Sequence, residues 1–128
     1  MITEVKDQDL AAAGYIHSKA WKESHKSICS AEFVETHTPQ AQMEYLRGQL
    51  EAGKTVYMLV EEEPVGIVSV HGNVIENLYV LPEKQNRGFG TAGMIFCVQA
   101  QTSERTSWGT LRKEVCPNCC MYGKMLRL

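Results

Sequence analysis

Residues 77–92 read NLYVLPEKQNRGFGTA and join three kinds of local structure. Apolar strand formers come first, Pro82 interrupts them, and a polar loop with Gly88 and Gly90 leads into an apolar run. A helix that starts at these glycines presents unpaired N–H groups and the positive end of its dipole, which attract anions. The glycines remove side chains that would hold a ligand away from the backbone. The segment therefore predicts a cradle for the pyrophosphate of a nucleotide-like cofactor.

Two other glycine-loop signatures fit less well. Gly88-x-Gly90-x-x-Gly93 spells the dinucleotide-binding fingerprint, but seven residues (81–87) separate Val80 from Gly88. The fingerprint places its first glycine almost directly after the strand, and the chain that follows is too short for a doubly wound parallel sheet. A Walker-type phosphate loop is excluded because no Gly-Lys-Ser/Thr follows the glycines.

The motif combines a strand and a loop at a fixed spacing. Its residues are Leu78-Tyr79-Val80-x-Pro82, then Gln85-x-x-Gly88-x-Gly90, then Thr91-Ala92. In this spacing the segment resembles the acetyl-CoA-binding motif of the GNAT (Gcn5-related) N-acetyltransferase family. The resemblance is strongest over residues 57–92. It implies transfer of the acetyl group of acetyl-CoA to a primary amine, on a small molecule or a peptide, by direct attack and without a metal.

The resemblance also assigns the cofactor contacts. Backbone groups of the strand would pair with the pantetheine arm, and backbone N–H groups of the loop would hold the pyrophosphate, with Arg87 adding a charge-assisted contact. The predicted cofactor-binding residues are Leu78, Tyr79, Val80, Gln85, Asn86, Arg87, Gly88, Phe89, Gly90, Thr91 and Ala92.

The catalytic assignments rest on the resemblance as well. Glu76, just before the cofactor strand, is the candidate general base, with His71 or a water molecule as alternatives. Tyr122, in Met-Tyr-Gly-Lys-Met, resembles the tyrosine of the family's Tyr-Glu-Lys-x-Gly segment, which protonates the departing thiolate, although Gly123 replaces the usual glutamate. The alternatives are a solvated strand glutamate and a packing tyrosine. A CoA-binding or regulatory domain without catalysis is the second functional hypothesis.

The remaining chain predicts a single domain, residues 1–128, with a mixed α/β (α+β) fold. By resemblance, helices flank a mostly antiparallel sheet in which one parallel pair splays to admit the cofactor, and the family's C-terminal hairpin is truncated. The predicted strands cover residues 2–5, 55–60, 65–70, 74–80 and 106–112, and the predicted helices cover residues 7–24, 31–37, 39–52, 88–101 and 116–125. Asp7 and Thr38 are the predicted N-caps, Gly53 is the predicted C-cap, and Trp21 is a core residue or a pocket wall.

Composition limits the partners. The net charge of −2 gives no electrostatic reason to expect nucleic acid or an anionic membrane. Neither an apolar run of membrane-spanning length nor a signal peptide is present, which favours the cytoplasm. Five cysteines, an odd number, are expected as free thiols there. Cys116-x-x-Cys119-Cys120 lacks the second pair that a zinc site needs, and a truncated sheet edge would favour a homodimer.

Overall fold

The computed structural model describes residues 1–72, 74–101 and 126–127. The elements in chain order are β1 (Ile2–Glu4), α1 (Leu10–His25), α2 (Ala31–Glu35), α3 (Pro39–Glu51), β2 (Thr55–Val60), β3 (Pro64–His71), β4 (Val74–Val80), α4 (Phe89–Gln101) and β5 (Leu126–Arg127). Short 3-10 turns at Asp7–Asp9 and Pro82–Lys84 precede α1 and follow β4. The predicted strand 106–112 and helix 116–125 lie outside the described residues.

The strands form one sheet in the order β1-β2-β3-β4-β5. Every pairing among the described strands is antiparallel. The sheet between two layers of helices confirms the predicted mixed α+β class, and the predicted meander of β2, β3 and β4 is confirmed. The parallel pair that the resemblance implies is not among the pairings of the described strands, and it stays a prediction.

The short strand β5 was not expected from the sequence. Leu126 pairs with Ile75 and Arg127 with Val74, so β5 lies beside only the first two residues of β4. A two-residue strand leaves no alternation to recognise in a sequence, because the period of a strand needs several residues to show. This pairing brings the C-terminal residues next to the strand that carries the candidate site.

One extra residue interrupts the pairing of β3 with β4. Asn77 lies opposite Ser69 and Ile75 lies opposite Val70, so Glu76 has no partner residue on β3. This is a β-bulge, which re-aims a side chain and is frequent beside active sites. The succession Glu76-Asn77 between two apolar residues is the only sign of it in the sequence.

The core lies on both faces of the sheet. The buried apolar residues on the side of α1 and α3 are Val5, Leu10, Ala13, Ile16, Ala20, Leu46, Val56, Met58, Ile67, Tyr79 and Leu81. Those on the side of α4 are Leu59, Val65, Val68, Val70, Ile75, Leu78, Met94 and Cys97. The residues of β4 therefore alternate between the two faces after the bulge, as the strand period requires.

The predicted helix ends are partly confirmed. Thr38 caps α3, because its side chain accepts a hydrogen bond from the Ala41 N–H, and Pro39 is the first helical residue. The prediction of Asp7 as N-cap is wrong: Asp7 lies in a 3-10 turn, and α1 begins at Leu10. The carboxylate of Asp9 instead accepts a bond from the Lys6 N–H at 3.0 Å.

The C-terminal end of α3 differs by one residue from the prediction. The C-cap is Ala52, and Gly53 follows it with a φ of 84°. The N–H groups of Gly53 and Lys54 bond back to Leu50 and Gln49, so the last carbonyls of α3 are satisfied by a left-handed turn. None of the helices within the described part of the chain has the length and apolar character needed to cross a membrane.

Candidate active site

The loop after β4 turns the chain sharply before α4 begins. Gln85 ties it to the strand, because its side-chain Nε2 donates to the Val80 carbonyl at 3.0 Å. Asn86 and Gly88 both adopt left-handed backbone angles, with φ of 64° and 86°. Left-handed residues are rare outside glycine and asparagine, so the residue types at these two positions match the geometry that they must adopt.

Unpaired backbone donors collect at this turn. Among the described residues, the N–H groups of residues 86–91 have no backbone acceptor, and the first helical bond joins the Ala92 N–H to the Gly88 carbonyl at 2.9 Å. Asn86, Arg87 and Gly88 are exposed. A run of N–H groups without backbone acceptors at a helix N-terminus, with an exposed guanidinium beside it, is an arrangement suited to an anion such as a phosphate group.

The side chains of the turn divide into two groups. Phe89 is half-buried against the α4-side core, and Gly90 is buried. Thr91 and Ala92 are exposed on the first turn of α4. A Cβ added at Gly88 would meet no atom within 4 Å, so in the free protein Gly88 is required by its backbone angle and not by crowding. The open space above Gly88 is available to a ligand.

The edge of β4 beyond the bulge is the second feature of the site. Of the described strands, only β5 lies beside that edge, and its register reaches no further than Ile75. The side chains of Leu78, Tyr79 and Val80 are buried, at 4%, 4% and 2% exposure. What this part of β4 offers to a ligand is therefore its backbone N–H and C=O groups, as an extra strand would use them.

The two features are contiguous in the chain and in space. The edge of β4 that the described strands leave unpaired, called the open edge below, leads through the turn at Pro82–Lys84 into the donors of residues 86–91. An extended chain that carries amide groups along its length and phosphate groups at its end would pair with the strand and then with the turn. The predicted cofactor-binding residues lie along this stretch, except that the Ala92 N–H is already bonded to the Gly88 carbonyl, and their role in binding a cofactor stays a prediction.

Glu76, the predicted base, is the bulge residue and forms an ion pair. Lys54, directly before β2, donates to both carboxylate oxygens of Glu76, at 2.8 and 3.1 Å. Both side chains are partly buried, at 21% exposure for Lys54 and 18% for Glu76. The carboxylate thus already binds an alkylammonium group. Lys54 was not singled out from the sequence, since the two residues meet only across β3.

The structure says less about the other predicted catalytic residues. His71, the alternative base, is exposed at the end of β3, and Tyr122 lies outside the described residues. Cys97 is fully buried, and burial raises the pKa of its thiol to about 12, so it is a core residue. Cys116, Cys119 and Cys120 are outside the described part of the chain, within which no group of metal ligands forms.

A polar cluster on the α1 and α3 side of β4 was missed at the sequence level. Asn77 donates from its side chain to the Ser69 hydroxyl at 2.9 Å. Beyond it, the ring of His17 packs between the rings of Tyr79 and Tyr45, with centroids 4.6 and 5.4 Å away. Burial raises the pKa of Tyr79 to about 12, so its hydroxyl stays protonated. A single histidine on an apolar helix face carries no signal of such a cluster in one sequence.

Trp21, predicted as a core residue or pocket wall, lies between two imidazoles. The ring of His37 stacks on one face with centroids 3.5 Å apart, and the ring of His25 stacks at 4.0 Å. Phe33 meets the indole edge-on. Because both faces of the indole are covered, Trp21 has no free ring face to line a pocket and instead joins α1 to the segment around α2.

Comparison with solved structures finds proteins of similar fold, whereas comparison by sequence finds no match. No protein-family model matches the chain, and no curated protein matches it. The PaiA N-acetyltransferase from Thermoplasma acidophilum, solved in complex with coenzyme A, superposes with a TM-score of 0.63 and 13% identity, over 79% of this chain and 70% of that one.

Two further solved structures are similar. The GCN5-related N-acetyltransferase from Rhodopseudomonas palustris gives a TM-score of 0.64 and 21% identity, over 79% of this chain and 64% of that one. The ribosomal-protein-alanine N-acetyltransferase from Brucella melitensis gives 0.59 and 18%, over 79% and 66%. This chain thus spans about two thirds of the length of these neighbours. It has the fold of the GCN5-related (GNAT) N-acetyltransferases.

Proposed function

We propose that this protein transfers the acetyl group of acetyl-CoA to a primary amine. The observation that carries the proposal is the continuous path from the open edge of β4 to the unpaired N–H groups of residues 86–91. Pantetheine carries amide groups that pair with a strand edge, and the pyrophosphate of CoA needs several donors at one place. The neighbour from Thermoplasma acidophilum, which is solved with coenzyme A, supports this ligand.

The proposed roles follow from chemistry of direct attack. The amine must lose a proton to become a nucleophile, and Glu76 on the bulge is the only carboxylate on β4. The tetrahedral intermediate expels the CoA thiolate, which must be protonated, and Tyr122 is the proposed acid. The protein accelerates the reaction chiefly by holding the two reactants in line. The acceptor is a small-molecule or peptide amine.

Cofactor binding is tested by thermal shift. Acetyl-CoA and CoA should raise the melting temperature, because a ligand that binds only the native state stabilises it, whereas NAD should not. Gly88→Asp should abolish the shift, since it places a negative side chain in the open space above the phosphate donors. Gly72→Asp is the matched control, because Gly72 also has a left-handed φ, of 60°, and open space, but lies in the β3–β4 turn. Equal shifts for Gly88→Asp and the native protein would refute the phosphate site.

Catalysis is tested by separating CoA from acetyl-CoA chromatographically while a panel of amines is supplied. Chromatography avoids thiol reagents, which would react with the five cysteines of the chain. Glu76→Gln should lower kcat while CoA still raises the melting temperature, and Tyr122→Phe should do the same if its phenol protonates the thiolate. The pattern separates a catalytic defect from a binding defect.

A CoA-binding protein without catalysis is the second candidate. The observation that favours it is the ion pair, since both oxygens of Glu76 are already occupied by Lys54. In that case CoA and acetyl-CoA raise the melting temperature, but no amine in the panel releases CoA above the rate of hydrolysis. That single pair of measurements decides between the two candidates.

A further inference from the structure

The pair of Lys54 and Glu76 differs from the other ion pairs of the described chain. Those pairs have at least one side chain that is 39% exposed or more, and all of them lie at the surface. Lys54 and Glu76 are 21% and 18% exposed. The pair also joins residues that are 22 positions apart and lie on opposite sides of β3, Lys54 directly before β2 and Glu76 in β4. A primary alkylammonium group is therefore held, partly shielded from water, on the bulge of β4.

The position of this amine relative to the proposed cofactor is the second point. Glu76 precedes Leu78 by two residues, which is about 7 Å along an extended strand. The pantetheine arm, laid along residues 78–80 with its pyrophosphate at residues 86–91, would point its thioester end towards Glu76. The Lys54 Nζ is 2.8 Å from a carboxylate oxygen of Glu76, the group proposed to take a proton from the acceptor amine.

We propose that Lys54 is itself an acetyl acceptor, so that the protein acetylates its own chain at this position. The proposal rests on the proposed function, because it uses the same cofactor path and the same carboxylate. Glu76 takes a proton from the Lys54 ammonium, and the freed lone pair forms the new bond from Nζ to the acetyl carbon. The carbon–sulfur bond breaks and CoA leaves as a thiolate. The thiolate takes up the second proton that the Lys54 nitrogen loses, so Glu76 and CoA end protonated and Lys54 becomes a neutral N-acetyl-lysine.

Acetylation would change the site that performs it. The neutral amide of acetyl-lysine cannot form the charge-assisted pair that the ammonium makes with Glu76. Glu76 would then lose its partner within the chain and become available to the ammonium group of a second, external acceptor. The modified and unmodified proteins should therefore differ in their use of free amines.

The experiment compares two lysines in one sample. Purified protein is incubated with acetyl-CoA, and acetylation of each lysine is followed by peptide mass spectrometry. Lys26 is the matched control, because its Nζ lies 2.7 Å from Glu23 but the pair is exposed on α1. Lys54 should be acetylated at least about tenfold faster than Lys26, since orientation of reactants alone supplies more than this factor. The rate constant should not change with protein concentration, because the reaction is within one chain.

Variants and a second readout make the result decisive. Gly88→Asp and Glu76→Gln should each reduce acetylation of Lys54 to the level of Lys26 without changing Lys26. Equal rates at the two lysines in the native protein, or a Lys54 rate that Gly88→Asp leaves unchanged, would overturn the proposal. If CoA raises the melting temperature and free amines are acetylated while Lys54 is not, this inference fails and the proposed function stands. If CoA does not bind, the proposed function itself fails.

Discussion

His17 is a polar side chain in an apolar environment that disfavours its protonated form. It is 4% exposed, and neither ring nitrogen has a hydrogen-bond partner among the described residues. Burial, with a smaller effect from the charge of His37, lowers the pKa of His17 to about 4. The ring is therefore neutral at pH 7. An unpaired polar ring inside a core costs stability, which its packing against Tyr45 and Tyr79 offsets in part.

Acid should therefore destabilise the protein through His17. The folded pKa lies below the unfolded value of about 6.5, so the unfolded chain binds the proton more readily. The contribution of neutral His17 to the free energy of unfolding is complete above pH 6.5. It decreases by about 3 kcal/mol as the pH drops towards 4. Urea unfolding between pH 7 and pH 4 measures this loss.

The variant His17→Phe should flatten that pH dependence, because it keeps a ring between the two tyrosines and removes the titrating group. His71→Gln is the control, since His71 is exposed at the end of β3. If His17→Phe retained the full loss of stability in acid, the pH dependence would come from groups other than His17.

At the scale of elements, the contact of α1 with α3 depends on one glycine. A Cβ at Gly14 would lie 2.8 Å from both the Met43 nitrogen and the Pro39 carbonyl oxygen, which are backbone atoms of α3. Neither atom can move without shifting its helix. Gly14 thus sets the distance between the two helices, and α3 in turn delivers Lys54 to the site.

Two glycine substitutions in these helices should have opposite effects. Gly14→Ala should destabilise the protein by about 1–3 kcal/mol, because overpacking outweighs the better helix propensity of alanine. Gly48→Ala should stabilise it by about 0.5–1 kcal/mol, since a Cβ there meets nothing within 4 Å. Urea midpoints measure both. If both substitutions changed the stability in the same direction, the close contact at Gly14 would not be the reason that alanine is unfavourable there.

Elements with strong local chemistry were predictable from the sequence. Thr38-Pro39 predicted the start of α3, and the polar turns predicted the bounds of β2, β3 and β4 to within a residue. The start of α1 could not be predicted from the sequence. Asp7 and Asp9 are both good capping residues, and only the tertiary structure selects the 3-10 turn that they bound. The bulge at Glu76 is likewise a property of the pairing with β3 and not of β4 alone.

At the scale of the whole molecule, the sequence predicts the proposed cofactor path but not the proposed acceptor side. The path is continuous in the chain, so one motif contains it. The proposed acceptor side combines Lys54 and Glu76, which come from different elements and meet only in the fold. Such combinations leave no spacing in a single sequence. Tyr122, the proposed acid, lies outside the described residues.

A homodimer remains a prediction for the whole molecule. The edge of β4 beyond Ile75 can hydrogen-bond to a strand of a second copy, and pantetheine would use the same edge. The expected result is a particle of twice 14.4 kDa by light scattering, which saturating CoA converts to monomer. A mass of 14.4 kDa at all concentrations without CoA would contradict it.

Glu76 is the extra residue in β4, and this predicts how the protein responds when Glu76 is deleted. Ile75 faces the α4 side, and Asn77 faces the other side with Ser69, so these two residues would alternate correctly if they were joined directly. Removing one residue from a strand normally reverses every side chain beyond it. Excising Glu76 should instead produce an uninterrupted strand, so the shortened chain should still fold while losing the carboxylate. Deletion of this one residue should thus remove the carboxylate of the proposed base without preventing folding.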